Sequence, residues 1–165
     1  TFWVLLPKDT KNISTEKPQQ RNITQVRLDG VSALVIDDNK DTCEVLKQSL
    51  LSVGAIVQTG NSVQDGLLAL QNSTPDIILT DLAMPGSSGL DLIQAVRNRS
   101  DAISSIPIIV LSACAFEADR TAVNEAGATS FIAKPFRPAE VIQQVRALTL
   151  ASAMQQSISV GREDD

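Results

Sequence analysis

Five short apolar runs, VSALVI, AIVQT, DIILT, PIIVLS and TSFIA, recur between residues 31 and 133. Each is too short for a helix, rich in β-branched or aromatic residues and bounded by turn formers, as buried strands are. Helix-length segments follow them. Cys43, Leu46, Leu50 and Val53 recur at spacings of three and four, as do Val63, Leu67 and Leu70, and Leu90, Ile93 and Val96. A weaker helix is predicted over Glu117 to Ala126, with Ala118, Ala122 and Val123 inward and Gly127 as its stop. A closing helix carries Val141, Val145 and Leu148 and ends near Leu150. Five β/α units with right-handed crossovers leave little choice of architecture. The prediction is an α/β fold, a doubly wound five-stranded parallel sheet with helices on both faces.

Such sheets bind ligands at the carboxyl ends of their strands, so the strand ends are the place to look for chemistry. The first strand finishes at Asp37 and Asp38, the third at Asp81, the fourth at Ser112 and the fifth at Lys134. Three carboxylates brought into one pocket repel one another unless a cation sits among them or some are protonated. Oxygen ligands favour a hard ion, so the expected cofactor is Mg²⁺ or Mn²⁺. Each residue also has a plainer reading. Asp38 could cap the helix that starts near Asn39, Asp81 could open an ordinary loop, Ser112 could cap the helix near Glu117, and Lys134 could be a solvated lysine. Their joint placement at four strand ends in this order favours the pocket.

Charge narrows the partners. The chain carries 14 Lys and Arg against 19 Asp and Glu, a net charge of −5, which disfavours direct contact with nucleic acid. Cys43 and Cys114 form neither a CxxC pair nor a zinc spacing and read as free thiols in a reducing cytoplasm. No apolar run reaches the roughly 18 to 20 residues of a membrane span.

The blocks LVIDDN, DIILTDLAMPGSSGLDLI, IPIIVLSA and FIAKPF resemble the four signature blocks of the receiver domain of two-component response regulators. The resemblance covers about Val31 to Thr149 and implies a flavodoxin-like sheet of strand order 2-1-3-4-5. It assigns Asp81 as acceptor of a phosphoryl group from a phosphohistidine, with Asp37, Asp38, Asp81 and the backbone carbonyl of Ala83 around Mg²⁺. Ser112 matches the hydroxyl residue that turns toward the phosphoryl group, Lys134 the lysine that pairs with it, and Phe131 the aromatic switch. The Lys134–Pro135 bond is expected to be cis. The chain has no His, so the donor is a separate kinase or phosphotransfer domain, and the segment catalyses only its own phosphorylation and dephosphorylation. The resemblance also offers a homodimer through the face of the fourth helix, fifth strand and fifth helix. Phe in place of Tyr at 131 removes a hydroxyl that could anchor the ring outward.

Residues 1–7, TFWVLLP, resemble the last strand of the ATP-binding domain of a histidine kinase, which makes the chain the carboxyl-terminal receiver of a hybrid sensor kinase, cytoplasmic within a membrane-associated parent. Residues 8–29 then read as linker, 30–150 as receiver domain and 151–165 as a flexible acidic tail. The competing class is a receiver-like interaction module that is never phosphorylated, yet such modules usually lose an acid or the lysine, and this chain has them all. A Mg²⁺-dependent phosphohydrolase with an Asp-x-Asp strand end would need an acid where Ala83 stands.

Overall fold

A computed structural model describes residues 26–113 and 117–160. The opening TFWVLLP, residues 8–25 of the predicted linker, Cys114 and the acidic end of the chain lie outside them. In chain order the elements are β1 (Ser32–Ile36), α1 (Lys40–Ser52), β2 (Ile56–Gly60), α2 (Val63–Asn72), β3 (Ile77–Asp81), β4 (Ala83–Met84), β5 (Ser87–Ser88) and α3 (Gly89–Arg97). A 3₁₀ turn (Ala102–Ser105), β6 (Ile108–Ser112), α4 (Glu117–Ala126), β7 (Ser130–Ala133) and α5 (Pro138–Val160) complete the order.

The main sheet runs β2-β1-β3-β6-β7 with every pair parallel, which is the predicted order 2-1-3-4-5 once its five strands are counted along the chain. β4 and β5 form a separate antiparallel hairpin after Asp81. Its turn is Pro85–Gly86, where Gly86 takes φ +77°, the conformation a type II turn asks of its third residue.

Alternate strand residues face opposite sides of the sheet, and the core divides accordingly. Leu34, Ile36, Ile78, Ile108 and Val110 pack with Leu70 of α2, Leu92, Ile93 and Val96 of α3, and Val123 of α4. Ala33, Val35, Ile77, Leu79, Ile109, Leu111 and Ile132 pack with Leu46 and Leu50 of α1 and Val141 and Val145 of α5. Each fully buried Leu or Ile contributes about 1.5–3 kcal/mol, so the register that fills both faces is strongly selected.

Arg97, the last residue of α3, ties that face together. It donates through Nε to the carbonyl of Gly127 at 2.8 Å and through Nη1 to those of Ser104 and Ile106 at 2.7 and 2.9 Å. Gly127 ends α4 at φ +102°, and a Cβ there would lie 2.9 Å from Arg97 Cγ. The predicted helix stop is therefore also a seat for the arginine stem.

Three expectations change. AIVQT takes the edge that the order 2-1-3-4-5 assigns it but is not the buried strand its run suggested, Ile56 on it being 63% exposed: short β-branched runs do not distinguish edge from centre. Ala118 faces outward rather than inward, leaving Val123 as the buried residue of α4. The closing helix does not end at Leu150 but continues to Val160, so 151–160 is helix and not flexible tail. Ala151, Ala153, Met154, Gln155 and Gln156 are favourable or neutral for helix, and the polarity that reads as tail is only the absence of a core to face. On this extension Leu150, Met154 and Ile158 stand exposed at a spacing of four. Among the described residues, no helix is long and apolar enough to cross a membrane.

Candidate functional site

Because β1, β3, β6 and β7 lie side by side, their carboxyl ends open onto one place. β1 delivers Asp37 and Asp38. The cap of α1 is Asn39, whose Oδ1 accepts from the backbone N–H groups of Asp41 and Thr42. Asp38 is thus not the helix cap. It is exposed, and Asp37 beside it is fully buried.

Asp37 is held on all sides. Its Oδ1 accepts from the Asn39 N–H at 2.9 Å, and its Oδ2 pairs with Lys134 Nζ at 2.9 Å. Its carbonyl accepts from Asn61 Nδ2 at 3.0 Å and from the Cys43 thiol at 3.3 Å. Asn61 and Cys43 belong to the setting of the site without being legible as such: they act on backbone, and a helical stripe or a loop amide carries no spacing that announces it. Burial, then the charge of Asp37, pushes the Cys43 thiol up from its usual range.

Asp81 ends β3 at 7% exposure, and its Oδ1 lies 3.3 Å from Lys134 Nζ. One oxygen from each of Asp37, Asp38 and Asp81 can be chosen so that all lie within 4.8 Å of one another. Burial holds the Asp81 carboxyl above its ordinary range, and the charges of Asp37 and Asp38 add to this against the pull of Lys134. Burial alone would lower the Lys134 ammonium, but the carboxylates of Asp37 and Asp81 outweigh it and its pKa is raised. Lys134 reaches the site from the end of β7, where its N–H donates to the Ser112 carbonyl at 2.7 Å and its bond to Pro135 is cis, as the resemblance implied.

The backbone after Asp81 is fixed tightly. The Leu82 N–H donates to Leu111 O, and Leu82 O accepts from the Gly89 N–H and, at 3.1 Å, from Ser88 Oγ. A Cβ on Gly89 would lie 2.2 Å from the carbonyl oxygen of Asp81, so only glycine lets α3 start this close. Asp38, Ala83 and Ser112 line one groove with the hairpin and α4. Ser112 ends β6 at 3% exposure, and Phe131 pairs in register with Val110 one strand over. Every site residue predicted from sequence, Asp37, Asp38, Asp81, Ala83, Ser112, Lys134 and Phe131, therefore lies at this end of the sheet or on a strand leading to it.

Three carboxylates against one ammonium leave a net negative pocket made of oxygen donors. That donor set suits a hard divalent cation. Without one, the charge balance rests on Lys134 and on protons.

Residues 33–146 match the response regulator receiver domain, and the chain belongs to that family. It is similar to the transcriptional regulatory protein PrrA of Mycobacterium leprae, with 36% identity over 80% of this chain and 59% of that protein. Among solved structures, a putative response regulator from Chloroflexus aurantiacus matches at TM-score 0.69 and 29% identity, covering 73% of this chain and 98% of that one. The signal receiver domain of a signal transduction histidine kinase from Syntrophus aciditrophicus matches at TM-score 0.68 and 26% identity, covering 73% and 91%. The chain spans about half the length of several curated relatives that it matches.

Proposed function

We propose that this receiver domain accepts a phosphoryl group on Asp81 from a phosphohistidine and converts it into a change of surface. The observation that carries the reading is the buried Asp81 carboxylate, with oxygens of Asp37 and Asp38 within 4.8 Å and Lys134 paired to two of the three acids. In the transfer, a carboxylate oxygen of Asp81 forms the P–O bond as the P–N bond to the donor imidazole breaks, its electron pair remaining on nitrogen. Lys134 neutralises charge on the phosphoryl oxygens, and the fixed backbone after Asp81 keeps the carboxylate in line. Asp37, Asp38, Asp81 and the carbonyl of Ala83 are the groups that would hold Mg²⁺, which when bound supplies further neutralisation of phosphoryl charge. Ser112 then donates its hydroxyl to the new phosphoryl group, and Phe131 turns toward the vacated space. This alters the face of α4, β7 and α5, on which a downstream partner or a second copy docks.

The parent is read as a hybrid histidine kinase acting in the cytoplasm. The opening TFWVLLP and the likeness to a histidine kinase receiver support the hybrid kinase. The names of the mycobacterial relatives favour a second reading, in which the receiver controls a DNA-binding partner domain. The receiver chemistry is common to both.

The test is the intact mass of the chain after incubation with a small-molecule phosphodonor and Mg²⁺. One phosphoryl adduct is expected, absent in Asp81→Asn and absent with chelator. An adduct that survives Asp81→Asn would sink the assignment. No adduct at all, with Mg²⁺ shown to bind, would favour the unphosphorylated interaction module.

A further inference from the structure

Phe131 lacks the hydroxyl with which a tyrosine could fasten its ring, yet the ring is not left to rotate freely. Arg120, one turn into α4, sets its guanidinium carbon 5.1 Å from the centroid of the ring. Arg120 is exposed and Phe131 half-buried, so the face of the ring is turned toward the surface, where the cation covers it. The half-buried ring also packs against the core cluster that contains Val110 and Val123, so it sits between the interior and the guanidinium. Moving it inward breaks the cation–π contact, while leaving it outward preserves the contact.

We propose that Arg120 is a positioning residue for the switch, holding Phe131 outward and so setting how far the domain favours its unphosphorylated state. The proposal rests on the phosphoacceptor reading of Asp81. It replaces an expectation drawn from sequence, that Phe at 131 weakens the outward anchor, with a specific substitute for it: the anchor comes from the neighbouring helix instead of from the ring's own hydroxyl. Two effects of the arginine oppose each other in sign. A cation near an anionic group attracts it, so a purely electrostatic role predicts weaker binding of a phosphoryl mimic when the charge is removed. A latch on the resting state predicts tighter binding, because removing it raises the population competent to bind.

The experiment is a calorimetric titration of the full chain with beryllium fluoride in the presence of Mg²⁺, for wild type, Arg120→Ala, Arg120→Lys, Phe131→Leu and the double variant Arg120→Ala with Phe131→Leu. A contact of this kind at an exposed site corresponds to an affinity gain of about two- to fivefold in Arg120→Ala. Arg120→Lys, which keeps a cation over the ring, should stay near wild type. In the Phe131→Leu background, Arg120→Ala should give no gain. Unchanged or weaker binding by Arg120→Ala would overturn the proposal, and so would an equal gain in the Phe131→Leu background. Wild type that fails to bind, or binding that Asp81→Asn does not abolish, would instead overturn the phosphoacceptor reading, and the role of Arg120 with it.

Discussion

Lys134 is the residue on which the resting site depends most. Its Nζ is the cation facing the fully buried Asp37 carboxylate, at 2.9 Å. Removing one partner of a buried pair leaves the other charge uncompensated, which costs more than the pair itself contributes. Lys134→Met keeps the apolar stem and deletes the charge. It is expected to destabilise the metal-free chain by about 3 kcal/mol, the low end of the range for a buried pair because the Lys134 side chain is 22% exposed. Urea denaturation measures this directly. Added Mg²⁺ should return part of the loss, since a cation then faces Asp37 again; a loss insensitive to Mg²⁺ would contradict the charge-compensation account.

At the scale of elements, the start of α3 against the end of β3 sets the position of Asp81. Gly89→Ala would push a methyl group against the Asp81 carbonyl, where 2.2 Å of room exists and the obstacle is backbone that cannot rotate aside. A loss of about 3 kcal/mol is expected, at the upper end for overpacking. The phosphodonor reaction should also slow, because the strain falls on the proposed acceptor; a stable Gly89→Ala variant with wild-type phosphorylation would refute this. These elements differ in how far the sequence announced them. β1, β3 and β6 are buried on both faces and read as continuous apolar runs, so their strand ends, and with them Asp37, Asp38, Asp81 and Ser112, were visible before any coordinates. β2 was legible as a strand, and the order 2-1-3-4-5 placed it at an edge, but its apolar run alone did not announce the exposure of Ile56. The hairpin of Ala83–Met84 with Ser87–Ser88 is too short for any period. The contacts of Asn61 and Cys43 with the Asp37 carbonyl, and of Arg97 with three carbonyls, join residues that sequence separation does not relate. The full length of α5 is not legible because the run from Ala151 lacks buried positions, although its residues suit a helix.

For the molecule as a whole, the site is a local cost that the rest of the fold carries. The folded-state pKa of Asp81 lies above its unfolded value. Between those two values the folded chain keeps a proton that the unfolded chain has lost. The contribution of Asp81 to stability is therefore greatest below the unfolded value of about 3.9, falls as pH rises through the folded value, and is level beyond it. The difference in unfolding free energy between wild type and Asp81→Asn, followed against pH without metal, isolates this slope; a difference independent of pH would contradict it. At neutral pH a cation binding only the folded chain should reverse the penalty, adding about 2.7 kcal/mol at a concentration one hundred times its dissociation constant.

The continuation of α5 has a consequence of a different kind. Ten residues of helix beyond Leu150 extend it by about 15 Å, and each residue turns the axis by about 100°. Whatever is joined rigidly after Val160 inherits a fixed angular phase relative to the acidic site at Asp81. One residue inserted into this stretch would swing an attached body to another side of the domain, whereas an insertion of seven, close to two full turns, would return it nearly to its original bearing and only move it outward.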